Sequence, residues 1–329
     1  PESRYNGVLI VDKPQDFTSF DVVAKLRGIL HERRIGHGGT LDPMATGVLP
    51  VFVGGATKAA DMAAAQSKEY IAAFALGWAS DTQDSTGTET ARSEVRVTAQ
   101  QLREAVDNMH GEQEQVPPMY SAVKVNGQRL YDLARKGVEV ERKARPITVH
   151  EAELLAFDEQ EQQGRIRFLC SKGTYVRTLV HDLGVTLGTY AVMTGLQRTK
   201  SGCYTLAQSY SLEQIEQAAQ QDAIESLLLQ TDSLFQMYPA VSIDEYGYQR
   251  AMHGAFITPE HVTDMPQQQG AVCRVYYQGE FWMLGRVDAL EEKLAHGIVT
   301  AAPAARQQAV PEDGFPSDAD APPPAEDEL

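Results

Sequence analysis

Gly36-His37-Gly38-Gly39-Thr40-Leu41-Asp42-Pro43-Met44-Ala45-Thr46-Gly47 is the stretch on which the reading of this chain turns. Its glycines permit close backbone approach and positive φ angles, as a loop needs where a ligand rests on the main chain. The spacing matches neither G-x-x-x-x-G-K-[ST] nor G-x-G-x-x-G, so no nucleotide cofactor is expected. By composition alone the segment reads first as a turn closed by Asp42-Pro43. Apolar runs flank it on both sides. Val8 to Val11 reads as a short buried strand, Asp16 to Ser19 supplies capping residues for an amphipathic helix through about Leu30, and Val48 to Val53 forms a second run.

Working outward, Tyr70 to Trp78 alternates as a third strand and Thr98 caps a helix ending near Gly111. Further strands are expected at Tyr120 to Val125, Pro146 to Phe157 and Arg165 to Ser171, with a helix from about Thr174 to Gly188. Strands joined by helices and long hairpin-like excursions indicate an α+β fold. After Pro239, Val241-Ser242-Ile243-Asp244 is expected to open a short helix. Strands then follow at Ala271 to Tyr277 and Phe281 to Val287, joined across Gln278-Gly279-Glu280. Beyond about Thr300 the sequence is rich in Pro, Ala and acids, and a disordered tail is expected there.

The 329 residues, 43% of them hydrophobic, suffice for one large domain and a smaller one. No run approaches the roughly 20 apolar residues of a membrane span, and the first residues lack the layout of a secretory signal. A cytoplasmic protein without a membrane partner is expected, with a monomer as the default state. Cys170, Cys203 and Cys273 show neither disulfide nor zinc spacing, so reduced thiols and no metal are expected. The formal charge of −16 disfavours a nucleic-acid partner, but its distribution changes that. Seven of the acids lie between Pro311 and Leu329, leaving −9 for the rest of the chain. Ser121 to Val149 carries seven basic residues against three acidic ones, a local +4 suited to binding RNA at one face.

Six ordered segments then fit one pattern. They are Asp12-Lys13-Pro14 with Thr18-Ser19, Gly36 to Gly47, Lys68-Glu69-Tyr70, Val116-Pro117-Pro118-Met119-Tyr120-Ser121-Ala122, Arg145-Pro146, and Lys172-Gly173-Thr174-Tyr175-Val176-Arg177-Thr178-Leu179. In these the chain resembles the TruB family of pseudouridine synthases, which modify the uridine at position 55 in the TψC loop of tRNA. The resemblance implies a catalytic domain over 1–240 built on a mixed, largely antiparallel sheet, a PUA-type RNA-binding domain over 241–303, an acidic, Pro-rich tail over 304–329, and no cofactor. It lapses after Gly188, at Thr189-Tyr190-Ala191-Val192-Met193, and at Gln197, where the family usually has arginine.

The implied chemistry detaches uracil from the anomeric carbon, turns it, and rejoins it through carbon 5. A carboxylate can stabilise or trap the intermediate, and the resemblance assigns this role to Asp42. Desolvation raises a carboxyl pKa and a nearby guanidinium opposes that; the matching arginine is Arg177. The target base must be flipped out of its loop, at a cost of about a few kcal/mol. Tyr70 is the matching ring to pack on it and a candidate base, and His37 helps hold the RNA loop open. Lys13, Tyr175 and Leu196 match residues lining the family's pocket. Two other readings are a catalytically silent tRNA-binding or folding module, against which Asp42, Tyr70 and Arg177 count together, and a metal hydrolase. One His and one Asp in a glycine-rich loop fall short of a ligand set for the latter.

Overall fold

A computed structural model describes residues 3–121, 123–125, 127–288 and 293–299. The expected tail, 304–329, lies outside them. The chain opens with β1 (Gly7–Lys13), α1 (Ser19–Leu30), β2 (Ile35–His37), β3 (Thr46–Val53), a 3-10 turn (Gly54–Ala59) and α2 (Ala60–Ala64). It continues through β4 (Lys68–Leu76), β5 (Trp78–Ser80), β6 (Glu89–Arg92), α3 (Ala99–Asp107), β7 (Gly111–Gln115), β8 (Lys124–Val125), β9 (Gln128–Arg129) and α4 (Leu130–Arg135). Next come β10 (Arg145–Asp158), β11 (Gln163–Cys170), α5 (Val176–Thr186), β12 (Ala191–Ser201), β13 (Tyr204–Thr205) and α6 (Leu212–Gln220). The last elements are β14 (Ala240–Ile243), α7 (Glu245–Met252), β15 (Val262–Thr263), β16 (Val272–Tyr277), β17 (Glu280–Asp288) and β18 (Lys293–Val299).

The described residues fall into two compact units, one made of those in 3–43, 48–66 and 202–299, the other of those in 44–47 and 67–201. In the first, β1 neighbours β3 and β2 pairs antiparallel with β3. Thr18 starts α1 through a reciprocal capping box with Asp21, which satisfies two otherwise orphaned backbone donors. The helix buries Val22, Val23, Leu26 and Leu30 against Leu9, Val11, Leu49 and Val51. The same unit contains a sheet of order β15-β14-β16-β17-β18 with its own core around Val241, Ile243, Val275, Met283 and Leu294. Phe281 and Leu284 of that sheet share a second cluster with Val8, Ile10 and Phe52.

In the second unit the order is β12-β4-β11-β10-β7, antiparallel at each pairing. Thr46 and Gly47, at the start of β3, add a short parallel pair with Gln197 and Arg198. Gly47 takes φ +105°, and a Cβ there would run into the Arg198 carbonyl, so only glycine allows this approach.

Three expectations need correction. Tyr120 and Ser121 are bends, and the strand there is only Lys124–Val125, because Ser121 N turns back to Met119 O at 3.0 Å instead of pairing across a ladder. The third strand breaks at Gly77 (φ +99°), so Trp78 belongs to β5. Val241 to Ile243 forms a strand, and Asp244 then caps the helix by accepting from Gly247 N at 2.8 Å. Among the described residues no helix is long and apolar enough to cross a membrane.

Burial pushes the Cys170 and Cys273 thiols up to about 12; burial also raises Cys203, whose thiol donates to Ser233 O, but Cys203 alone of the three is exposed to a reagent. Since the thiolate is the reacting species, titration of the native protein with a thiol-specific dye at pH 8 should give one fast equivalent, from Cys203. Denaturation should release the other two. Three equally fast thiols in the native state would contradict this packing.

Candidate active site

In the first unit, the loop carrying Asp42 begins at β2. Gly38 N donates to Pro50 O at 2.8 Å, and a Cβ on Gly38 would stand 2.8 Å from both Ala63 Cβ and Phe52 Cε2, so the main chain lies directly on these apolar groups. His37, the last residue of β2, is half-buried opposite Val51. The residues on either side of Asp42 are pinned. Leu41 is buried, and its backbone is held by Ser19 Oγ, which accepts from Leu41 N at 2.9 Å and donates to Leu41 O at 3.2 Å.

Pro43 O accepts from Asp16 N at 2.8 Å and from Lys13 Nζ at 3.2 Å. Lys13 is fully buried, and its ammonium also donates to Pro14 O at 2.8 Å and Phe17 O at 2.6 Å. A lysine matched to the family's pocket is therefore, in this geometry, a staple that gathers three backbone carbonyls beneath the loop. Asp42, half-buried, stands between the two anchored neighbours.

In the second unit, Tyr70 lies on β4 opposite Phe168 of β11 and Arg198 of β12. Leu196 pairs with Ala72. Directly paired residues share a sheet face, so Tyr70, Ala72, Leu196 and Arg198 line one face, with Tyr70 and Arg198 buried. Tyr175 is the N-cap of α5, whose first turn carries Arg177.

Arg177 is buried, and its Nη1 is 3.6 Å from Oδ2 of Asp84, itself 4% exposed. Asp84 Oδ1 accepts from Thr86 Oγ1 at 2.6 Å, Thr82 Oγ1 at 2.8 Å and Thr86 N at 2.9 Å. The neighbouring Gln83 accepts from Thr178 Oγ1 at 2.6 Å. Sequence reasoning missed Asp84: Asp81-Thr82-Gln83-Asp84-Ser85-Thr86-Gly87 reads as an ordinary polar turn, and nothing in its composition tells that this carboxylate points inward toward a guanidinium. Among the described residues no cluster of three or more His, Cys, Asp or Glu could hold a metal ion.

Replacing Lys13 with Met keeps the length of the side chain and deletes its donors. Leaving buried carbonyls unsatisfied costs roughly 1–3 kcal/mol each, so K13M should lower the thermal midpoint by several degrees. An unchanged midpoint would show that the ammonium does not hold the loop.

Residues 27–176 match the model of the TruB family pseudouridylate synthase N-terminal domain, and 177–236 that of the tRNA pseudouridylate synthase B C-terminal domain. The chain is 42% identical over 280 residues to tRNA pseudouridine synthase B of Lactiplantibacillus plantarum, covering 83% of this chain and 91% of that one. It is 38% identical over 282 residues to the protein of the same name from Clostridium tetani, covering 85% and 95%. Among solved structures, an H/ACA RNP bound to a substrate RNA containing 2′-deoxyuridine aligns with a TM-score of 0.69 at 22% identity, over 90% of this chain and 85% of that one. A Cbf5-Nop10-Gar1 complex aligns at 0.68 and 25% identity, over 90% and 84%. The fold is that of the pseudouridine synthases, and this chain belongs to the TruB family.

Proposed function

We propose that this protein isomerises uridine to pseudouridine in tRNA, at position 55 of the TψC loop, with Asp42 as the nucleophile. The observation that carries the reading is the double anchoring of Leu41 and Pro43, which fixes the backbone on both sides of Asp42. A nucleophile must be held near its attacking geometry, because positioning supplies much of the rate. The names of the relatives, tRNA pseudouridine synthase B, support tRNA as substrate. In this reading Arg177 serves with Asp42 as a catalytic residue, the Tyr70 ring receives the flipped base, and Leu196 and Tyr175 border it. His37 helps keep the RNA loop open.

Lys124, Gln128, Arg129, Arg135 and Lys136 line one cleft with Asp132. This basic excursion would grip phosphates, which positions an RNA without specifying its sequence. The five-stranded sheet that begins at Ala240 would form most of a PUA-type RNA-binding domain over 241–303, following a catalytic domain of 1–240. The reaction needs no cofactor, since there is no net oxidation or reduction: the C1′–N1 bond breaks, a C1′–C5 bond forms, the hydrogen on C5 leaves as a proton, and N1 takes up a proton. A monomer in the cytoplasm completes the proposal.

Release of tritium from C5-labelled uridine in unmodified tRNA tests it. Wild-type protein should turn over in the presence of chelator. Asp42→Asn should lose at least about 10³-fold in rate while still binding tRNA. Full turnover by Asp42→Asn would remove the central assignment.

A further inference from the structure

Every residue of β7 before its last is exposed or only half-buried, while Gln115, which ends the strand, is 3% exposed. A buried primary amide must find partners for its own donors and acceptor. Gln115 finds them on a single residue of another segment. Its Oε1 accepts from Tyr175 N at 2.8 Å, and its Nε2 donates to Tyr175 O at 3.1 Å. The side chain thus pairs with the Tyr175 backbone much as a neighbouring strand would.

Tyr175 is the residue from which α5 starts. It has extended angles (φ −97°, ψ 106°) and no side-chain cap. Its carbonyl also accepts the first helical bonds, from Thr178 N at 3.1 Å and Leu179 N at 3.2 Å. Fixing this peptide therefore fixes where the helix begins. Arg177 sits two residues further on, its guanidinium 3.6 Å from Asp84.

Gln115 is also the foot of the basic excursion. The chain leaves the sheet after it and re-enters at Arg145, whose Cα partner across the β7–β10 ladder is Gln115 itself. One side chain therefore ties the point where the excursion departs to the point where the arginine-bearing helix starts.

We infer that Gln115 is a positioning residue of the reaction: it sets the start of α5, and through it the placement of Tyr175 and Arg177, from the base of the basic excursion. The inference rests on the proposed roles of Asp42 and Arg177, and the test separates the two. Full-length wild type, Gln115→Leu, Gln115→Glu and Asp42→Asn are compared in single-turnover tritium release from saturating tRNA and in equilibrium tRNA binding. Leucine removes both hydrogen bonds at similar volume. Glutamate, assayed at about pH 9 so that its buried carboxyl is ionised, keeps the acceptor for Tyr175 N but has no donor for Tyr175 O.

The expected order of single-turnover rates is wild type, then Gln115→Glu, then Gln115→Leu, with the leucine variant down at least tenfold and Kd for tRNA within twofold throughout. A merely structural residue would lower the amount of active protein and leave the rate of the active fraction unchanged. If Asp42→Asn is inactive and Gln115→Leu reacts at the wild-type rate, the inference on Gln115 fails and the functional reading stands. If the loss appears in Kd instead of the rate, the inference fails as well. If Asp42→Asn is fully active, the functional reading fails first. Should Gln115→Leu not fold, a wild-type rate in Gln115→Glu overturns the inference on its own.

Discussion

A buried ammonium under a glycine-rich loop is the constraint on which the first half of the site depends. Glycines let the segment between Gly36 and Gly47 lie close to Phe52 and Ala63, but the same freedom would leave Asp42 without a fixed position. Lys13 removes that freedom. A charge withdrawn from water needs hydrogen bonds in place of hydration, and the carbonyls of Pro14, Phe17 and Pro43 provide them. The energetic demand of the lysine is thus met by ordering the chain on one side of Asp42. Ser19, in the first turn of α1, orders the other side through Leu41.

The second unit follows the same logic with opposite charges. Arg177 and Asp84 are both nearly excluded from solvent, and such a pair is tolerated only where further hydrogen bonds complete it. Asp84 has three of them from Thr82 and Thr86. The loop bearing Asp84 is itself fixed, since Met193 N donates to Gln83 O at 3.2 Å and Ser85 N to Met193 O at 2.9 Å. Met193, near the start of β12, therefore holds the loop of this carboxylate in place.

Much of the frame was legible because it depends on local signals. The strand before Lys13, the helix from Ser19 to Leu30 with its Thr18 cap, and the β16–β17 hairpin over Gln278-Gly279 all follow from period, capping and turn chemistry. β12 was not legible. Gly195 interrupts it, its register shifts between Met193 and Gly195 and again between Arg198 and Lys200, and no simple alternation survives two shifts. Asp84 and Gln115 were illegible for another reason. Each is an ordinary polar residue in a polar run, and only a partner more than 50 residues away gives it meaning. Asp42, by contrast, was named through resemblance, while its anchoring by Lys13 and Ser19 needed the structure.

Net charge and partner are reconciled by distance. A chain of −16 would repel a polyanion if its charges acted as one, but at physiological salt the field of an exposed charge decays over about 8 Å. A phosphate approaching the cleft of Lys124, Arg129, Arg135 and Lys136 meets four cations against Asp132. Acids more than a few Debye lengths from that cleft in space contribute little there. The excursion bearing these cations stands on the ladder pair Gln115 and Arg145. The surface suited to holding RNA and the backbone peptide from which the arginine-bearing helix starts are thus joined through one side chain of the same strand.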